Sequence, residues 1–400
     1  MFRLRRTCNI NATTFQGPVT VERDCAKMKN PVGSLLNSGR HVTVVLCALL
    51  GLIGRFAYSQ ASPTSVIVYA YVASEDGAVW QYTIGVDGAL TAMSPATVST
   101  GDAYAVAVDP SGRYAYVTNP FDNTVGQYTI GPDGVLTAMS PAIVSMGAFP
   151  STLTVDPSGR YVYVSNLYDD TISQYSVGSN GALSAISPAT VSTGVGPTSV
   201  TVDPSGRYVY VTNTVDATVS QYIIGPDGAL TAMSPATVNT GTDMSAPAFM
   251  TIDPSGHYAY VANMGDDSVS QYTIGSDGVL TAMSPGTIST GHSPAAVTVD
   301  PSGRFAYVAN WESDSVSQYT IGSDGVLAAM SPATVRAGSN DRSTFFVTVD
   351  PTGQYVYAVN YTDSTVSQYT IGSNGALVSM SPGTVPTGRA PVTAATVRAH

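Results

Sequence analysis

A six-residue phrase recurs along this 400-residue chain and constrains its fold more than any other feature. The phrase is Val-Asp-Pro-Ser-Gly-Arg, and two of its six copies are altered. The copies begin at Val108, Val155, Val202, Ile252, Val299 and Val349. Successive copies are 47 or 50 residues apart, which is the spacing of a propeller or solenoid repeat. We therefore expect repeated units that bury their apolar faces against one another.

Each unit has the pattern of four short antiparallel strands. In the second unit these strands are predicted at Ala105–Asp109, Tyr114–Asn119, Thr124–Ile130 and Leu136–Ser145. The segments are rich in β-branched and aromatic residues, and Asp-Pro-Ser-Gly and Gly-Pro-Asp-Gly supply turns between them. Pro141 suits an edge position for the last strand. A helical repeat would show a period of 3.6 residues, and none appears.

The strand count predicts seven blades, of which the first is incomplete. The Tyr-rich second strand and the third strand with its Gln-Tyr pair each occur seven times, whereas the inner strand with its Asp-Pro turn occurs six times. The segment 390–397 matches the inner-strand pattern at 196–202. The chain is therefore predicted to be an all-β, seven-bladed β-propeller of four-stranded antiparallel blades over 62–400. The C-terminal strand closes the first blade and removes an open sheet edge.

The second strands carry a motif that resembles a known family. They read Tyr-Val-Thr-Asn at 116–119 and 210–213, and Tyr-Val-Ser-Asn at 163–166. This resembles the YVTN β-propeller repeats, and the fuller unit is similar to the lactonase (6-phosphogluconolactonase-like) family of seven-bladed propellers. The resemblance covers roughly 62–400. It implies hydrolysis of a sugar-type lactone at the channel, by His, Arg and Glu side chains in the catalytic members.

Charge divides the chain sharply at residue 62. The first 61 residues carry a net charge of +6, whereas the remainder has eight Arg, no Lys and 25 Asp and Glu, for a net charge of −17. A surface this acidic repels phosphate backbones, which argues against nucleic-acid binding. All three cysteines, Cys8, Cys25 and Cys47, precede the propeller. The sequence thus indicates no thiolate metal site, and we expect no metal, no cofactor and a monomer.

Residues 1–61 are predicted to be a basic extension with a signal peptide. The apolar core at 42–53 is too short to span a bilayer, and small residues follow it near a cleavage position at 59–62. Met28 is an alternative start that would give an ordinary basic leader. The other interpretation is an uncleaved signal anchor. Both place the propeller outside the cytoplasm, in a secreted, periplasmic or cell-surface location, and neither gives the mature propeller a membrane span.

Two loop sets vary between units, and both are predicted to lie on one rim of the propeller. The first follows the second strand and carries aromatic residues beside aspartates. Its predicted ligand-binding residues are Phe121, Tyr168, Trp311 and Tyr361. Their aromatic faces suit sugar stacking or packing between loops. We expect the aspartates to form turns with their own backbone, with a ring of Ca²⁺ ligands as the alternative.

The second variable loop set enters each inner strand near the central channel. It alone combines His, Arg and Asp around one axis. A lactone hydrolase needs a base that activates water and a cation that stabilises the oxyanion. The candidate catalytic residues are His292, Asp341 and Asp243 for the base, and Arg342 and Arg389 for the oxyanion or a carboxylate.

Two functions follow from these patterns. The first is an exported binding or surface-interaction module that uses the variable rim, since variable loops on a constant scaffold commonly carry binding. Its partner would be a carbohydrate or a surface protein. The alternative is a sugar-lactone hydrolase. Convergence of His292, Arg342 and Arg389 on one point would favour the enzyme. The arginines of the constant turns are expected to pair with aspartates, and the repeated glutamines to satisfy backbone groups.

Overall fold

The computed structural model describes residues 68–399, which form 28 β-strands and no helix. The strands group into seven four-stranded antiparallel sheets, the blades. None of these residues belongs to a helix that could cross a membrane. The predicted signal peptide and basic extension at 1–61 lie outside the described residues.

The four strand positions of a blade recur with almost constant length. The inner strands are Ala105–Val108 (β4), Pro150–Val155 (β8), Pro197–Val202 (β12), Pro247–Ile252 (β16), Pro294–Val299 (β20), Thr344–Val349 (β24) and Pro391–Arg398 (β28). The second strands are Val68–Ser74 (β1), Tyr114–Asn119 (β5), Tyr161–Asn166 (β9), Tyr208–Asn213 (β13), Tyr258–Asn263 (β17), Phe305–Asn310 (β21) and Tyr355–Asn360 (β25). The third strands are Ala78–Ile84 (β2), Thr124–Ile130 (β6), Thr171–Val177 (β10), Thr218–Ile224 (β14), Ser268–Ile274 (β18), Ser315–Ile321 (β22) and Thr365–Ile371 (β26). The outer strands are Leu90–Ser99 (β3), Leu136–Ser145 (β7), Leu183–Ser192 (β11), Leu230–Asn239 (β15), Leu280–Ser289 (β19), Leu327–Arg336 (β23) and Leu377–Pro386 (β27).

The C-terminal strand closes the first blade, as predicted. The sheet order is β28-β1-β2-β3, and β28 pairs antiparallel with β1, with Tyr71 opposite Ala395. The first and last parts of the propeller are thereby joined by backbone hydrogen bonds. The predicted fold class, a seven-bladed all-β propeller, is confirmed.

Blade 1 is the sheet closed by β28, and blades 2 to 7 follow in chain order. Second strands are almost fully buried, whereas outer strands such as β11 are mostly exposed. Apolar clusters lie between blades: Tyr116 and Val125 of blade 2 pack with Val162 and Tyr175 of blade 3. No blade buries its faces alone, so stability depends on the closed ring.

The repeated Asp-Pro-Ser-Gly turn is fixed by its aspartate. In blade 3, Asp156 accepts backbone N–H groups of Arg160 at 2.6 Å and Tyr161 at 2.7 Å through Oδ1, and the N–H of Ser158 at 3.1 Å through Oδ2. The prediction that the turn arginines pair with aspartates is wrong. Arg160 Nε donates to Ser158 Oγ at 3.0 Å, and its guanidinium lies 5.0 Å from the Tyr161 ring centre. The aspartate is already saturated by backbone donors.

Each repeated glutamine joins its blade to the next. Gln221 is fully buried; its Nε2 donates to the carbonyl of Pro235 at 3.1 Å, and its Oε1 accepts the N–H of Leu280 in blade 5 at 2.8 Å. All seven glutamines make this pair of bonds, so they satisfy backbone groups as predicted. The last of them, Gln368 of blade 7, accepts from Leu90 of blade 1 and completes the ring.

Constant and variable turns lie on opposite rims. Tyr114 follows the Asp-Pro-Ser-Gly turn of blade 2, and its hydroxyl donates to Ser179 in the hairpin of blade 3 at 3.2 Å. Both constant turn types therefore share one rim. The antiparallel order of the strands puts the loops after the second and outer strands at the other end, here called the variable rim.

Gln221→Leu is expected to lower the free energy of unfolding by about 2–4 kcal/mol, because the Leu280 N–H and the Pro235 carbonyl then stay buried without a partner. The change is measured from urea unfolding followed by circular dichroism. Thr231→Leu, at an exposed position of the neighbouring strand, is the control. Equal midpoints for the two variants would contradict a stabilising role for the glutamine.

Alkaline pH is expected to destabilise the propeller through its buried phenols. Burial raises the pKa of Tyr82, Tyr222 and Tyr272 to about 12, from an ordinary value of 10.0. The neutral phenol is favoured in the folded chain, so this stability is complete below about pH 10 and is lost as the pH rises through 12. Urea midpoints at pH 8, 10 and 11 check the trend. Tyr272→Phe, which removes one such phenol, should reduce the loss of stability at high pH. Urea midpoints that do not change with pH would refute the prediction.

Candidate functional site

Carboxylates of the first variable loop set hold the second set in place. Asp216 Oδ2 accepts the N–H of Val195 at 2.6 Å, and Asp266 Oδ2 accepts that of Thr242 at 2.8 Å. Each bond joins two loops of one blade. The prediction that these aspartates bond their own backbone is therefore wrong. Their partners are 21 and 24 residues away, and only the blade geometry brings the two loops together.

In blades 2, 3, 5 and 6 the next position of the same loop carries a side chain that joins neighbouring blades, whereas blade 4 has Ala217 there. Asp170 of blade 3 accepts the N–H of Gly196 in the loop into blade 4 at 2.8 Å, and Asp314 of blade 6 accepts that of Ser343 at 2.7 Å. Asp170 and Asp314 both adopt positive φ, which aspartate tolerates better than most residues. Hydrogen bonds within and between blades thus connect the loops of the variable rim despite their varied side chains.

His292 is oriented by a carboxylate of the preceding blade. Its Nδ1 lies 2.7 Å from Asp267 Oδ2, and Asp267 Oδ1 accepts the N–H of Ser293 at 2.8 Å. The carboxylate accepts a hydrogen bond from Nδ1–H, which leaves Nε2 with its lone pair free. The His292 side chain is 75% exposed, so this nitrogen is accessible to solvent and ligand.

Arg342 lies between a glutamate and a tryptophan. Its Nη2 is 2.8 Å from Glu312 Oε1, and its guanidinium lies 5.8 Å from the Trp311 ring centre. Trp311 Nε1 donates to the Arg342 carbonyl at 2.6 Å. The ring is therefore fixed as part of a polar cluster, and Phe345 contacts it edge to face at 6.0 Å.

A cavity of about 630 Å³ opens on the rim of blade 6. Its lining includes His292, Glu312, Asp314, Arg336 and Asp341. We call it the blade 6 cavity. It therefore contains one base, one cation and three carboxylates.

A second polar group lies where blades 7 and 1 meet at the channel mouth. Tyr361 donates its hydroxyl to Glu75 Oε2 at 2.8 Å. Burial and this bond raise the pKa of Tyr361 to about 12, against the lowering effect of Arg389. Burial, with a smaller contribution from the Glu75 charge, also raises the pKa of Tyr104 to about 12. Both phenols are hydrogen-bond donors at neutral pH.

The predicted catalytic residues do not all meet, so the convergence of His292, Arg342 and Arg389 on one point is not observed. His292 and Asp341 line the blade 6 cavity, and Arg342 adjoins it through Glu312. Arg389 lies one blade further on, where its backbone N–H donates to Asp76 at 3.2 Å. Asp243 is exposed on the loop into blade 5, away from the cavity lining.

The predicted ligand-binding aromatics fall into two groups. Trp311 and Tyr361 flank Phe345 beside the polar clusters. Phe121 and Tyr168 are both 69% exposed and contact Phe149 on blades 2 and 3. Sequence reasoning therefore found aromatic residues of both groups but did not separate them.

Sequence reasoning missed several polar residues at these sites. Asp267, Arg336, Glu75 and Glu312 were not singled out as site residues. A signal existed for the glutamates, since Glu75 and Glu312 are the only two in the propeller, and both lie on the variable rim with a specific partner. Within 68–399, no group of three or more His, Cys, Asp or Glu residues is placed to hold a metal ion.

Comparisons with known proteins agree with this architecture. The periplasmic gluconolactonase of Pseudomonas aeruginosa superposes with a TM-score of 0.70 at 19% identity, covering 84% of this chain and 100% of that one. A Bacteroides fragilis protein provisionally described as a 6-phosphogluconolactonase gives 0.70 at 17%, covering 84% and 99%. Hydrazine synthase of Kuenenia stuttgartiensis gives 0.57 at 16%, covering 74% and 95%. At these identities the likeness shows the fold alone.

The family of the chain is identified by comparing its sequence with models of protein families. No curated protein sequence matches the chain. The model of the lactonase family, described as a seven-bladed β-propeller, matches residues 53–339, which is well over half of the chain. The chain therefore belongs to the lactonase family of seven-bladed β-propellers.

Proposed function

We propose that this protein hydrolyses an unphosphorylated sugar-type lactone in the blade 6 cavity. The observation that carries the proposal is the His292–Asp267 pair, because His292 lines a cavity that Arg336 also lines. Lactone hydrolysis requires a base that activates water and a cation that stabilises the oxyanion, and His292 and Arg336 are residues of these two types. Membership of the lactonase family and the gluconolactonase among the structural neighbours support the same reaction.

The chemistry assigns a role to each group. Nε2 of His292 removes a proton from water as the water oxygen attacks the lactone carbonyl. Arg336 stabilises the oxyanion that forms on the carbonyl oxygen. The ring C–O bond then breaks, and the ring oxygen takes the proton back from the imidazolium, which yields the hydroxy acid. Asp267 is a positioning residue that holds the imidazole and stabilises its charged form.

Electrostatics favour an unphosphorylated substrate. Glu312, Asp314 and Asp341 outnumber the single Arg336 in the cavity lining, and the propeller as a whole carries a net charge of −17. A phosphate group would be repelled there. Sugar hydroxyls, in contrast, can donate hydrogen bonds to the same carboxylates.

Export remains part of the proposal. It depends on the apolar core at 42–53 and its flanking residues, and one structural neighbour is named as a periplasmic protein. We place the active propeller in the periplasm or outside the cell. The surface-binding function that the sequence also predicts uses other residues of the variable rim, the aromatic side chains of Phe121, Tyr168, Trp311 and Tyr361.

His292→Asn is expected to lower kcat for glucono-δ-lactone about 100-fold or more, because it removes the general base. Arg336→Gln should cost about 100-fold through loss of oxyanion stabilisation. The assay uses the full chain and follows acid release in weak buffer, with spontaneous hydrolysis subtracted. 6-Phosphogluconolactone is measured in parallel and is expected to be the poorer substrate.

His257→Asn is the matched control, since His257 also bonds a neighbouring oxygen, that of Ser255 at 2.8 Å, but lies on the constant rim. Its turnover should equal that of the wild type. Arg389→Ala distinguishes the blade 6 cavity from the blade 7–1 junction. A full loss of turnover in that variant, with His292→Asn fully active, would move the reaction to the channel mouth and overturn the assignment.

A further inference from the structure

Phe149 is a bulky residue at a backbone position that four other blades fill with Gly, Ala or Ser. Phe149, which precedes the inner-strand proline of blade 3, has φ +56°. Its equivalents, also with positive φ, are Gly196, Ala246, Ser293 and Ala390. A positive φ is rare and costly for a bulky residue. Phe149 is thus the bulky member of this set, while in the loop into blade 7 the positive φ falls one residue earlier, on Arg342 at +60°.

Hydrogen bonds from two blades hold Phe149 in this conformation. Its N–H donates to Asn123 Oδ1 of blade 2 at 2.8 Å, and its carbonyl accepts from the N–H of Leu167 in blade 3 at 3.0 Å. Strain of this kind persists where the surroundings overdetermine it and is concentrated at functional sites.

The strained residue is the centre of an exposed aromatic cluster. Its ring centre lies 5.6 Å from that of Phe121, 4.6 Å from that of Tyr168 and 6.4 Å from that of Tyr104. Phe121 and Tyr168 are each 69% exposed. At the position of Tyr168, blade 4 has Val215, with a similar exposure of 68%. The cluster is therefore a feature of blades 2 and 3 that the repeat does not require.

The charges around the cluster are all negative. Asp102, Asp122 and Asp169 lie on the same four loops, which contain no Lys or Arg. Asp169 holds the Ala148 N–H through one oxygen, whereas Asp122 accepts no hydrogen bond from a described residue. Carboxylate oxygens thus remain available beside two aromatic faces. A ligand with phosphate, sulfate or uronate groups would be repelled.

We propose that this aromatic cluster is a binding site for a neutral or amino-sugar carbohydrate chain, separate from the blade 6 cavity. The apolar faces of sugar rings would pack on Phe121 and Tyr168, while their hydroxyl or ammonium groups donate to Asp102 and Asp122. A wholly apolar peptide fits worse, because it would bury these carboxylates without donors. Phe149 is a positioning residue that fixes the angle between the two exposed rings.

The test is calorimetric titration of the full chain with cellohexaose and chitosan hexamer, and with a hexagalacturonate as the anionic comparison. At least one of the first two should bind, and the third should not. Tyr168→Ala and Phe121→Ala should each weaken binding about ten-fold or more. Val215→Ala, at the equivalent exposed position of blade 4, should change nothing, and thermal unfolding verifies that all variants are folded.

Three outcomes would overturn the site: no binding of either sugar chain, binding unchanged in both aromatic variants, or preferential binding of hexagalacturonate. A basic, apolar peptide is titrated as well, and its binding in place of the sugars would make the cluster a peptide-docking surface. Lactone turnover is measured on the same variants. Tyr168→Ala and Phe121→Ala should lose sugar binding with unchanged lactone turnover. His292→Asn should lose lactone turnover with unchanged sugar binding. This pattern separates the sugar-binding proposal from the hydrolase assignment.

Discussion

The buried glutamine of each third strand is the interaction on which the propeller depends. Its amide donates to the outer strand of its own blade and accepts from the outer strand of the next, so every blade is tied to its successor. Because both groups of this buried amide are hydrogen-bonded, a shift of one blade against the next would leave a buried backbone donor or acceptor without a partner. The glutamine therefore fixes the relative position of adjacent blades. The last of these bonds joins Gln368 of blade 7 to Leu90 of blade 1, the blade in which β28 pairs with β1.

This regular scaffold leaves the variable rim free to differ between blades. The rim divides into two regions of different chemistry. Blades 5 to 7 and blade 1 carry the His292–Asp267 and Arg342–Glu312 pairs and the Glu75–Tyr361 contact. Blades 2 and 3 carry the aromatic cluster around Phe149. The same loop positions thus carry charged pairs in blades 5 to 7 and blade 1, and an aromatic cluster in blades 2 and 3.

The fold alone does not choose between these functions. The same propeller architecture occurs in a gluconolactonase and in a chain of hydrazine synthase, which are proteins of different named activity. Function must therefore be argued from side chains on the rim. The repeat helps here, because each blade provides six internal comparisons. Phe149 stands out because its equivalents in four other blades are Gly, Ala or Ser, and Glu75 and Glu312 stand out because the other blades lack glutamate.

The sequence by itself determined the blade number, the four strands of each unit and the closure by the C-terminal strand. These depend on local turn chemistry and on periodic apolar patterns, which repetition makes easy to recognise. It also placed His292, Asp341 and Trp311 on one rim. The tertiary structure decided which of these side chains meet. The pairing of His292 with Asp267 and the bond between Glu75 and Tyr361 join residues 25 and 286 positions apart. Such contacts depend on how neighbouring blades are rotated about the channel, and that rotation is set by packing between blades rather than by any local pattern.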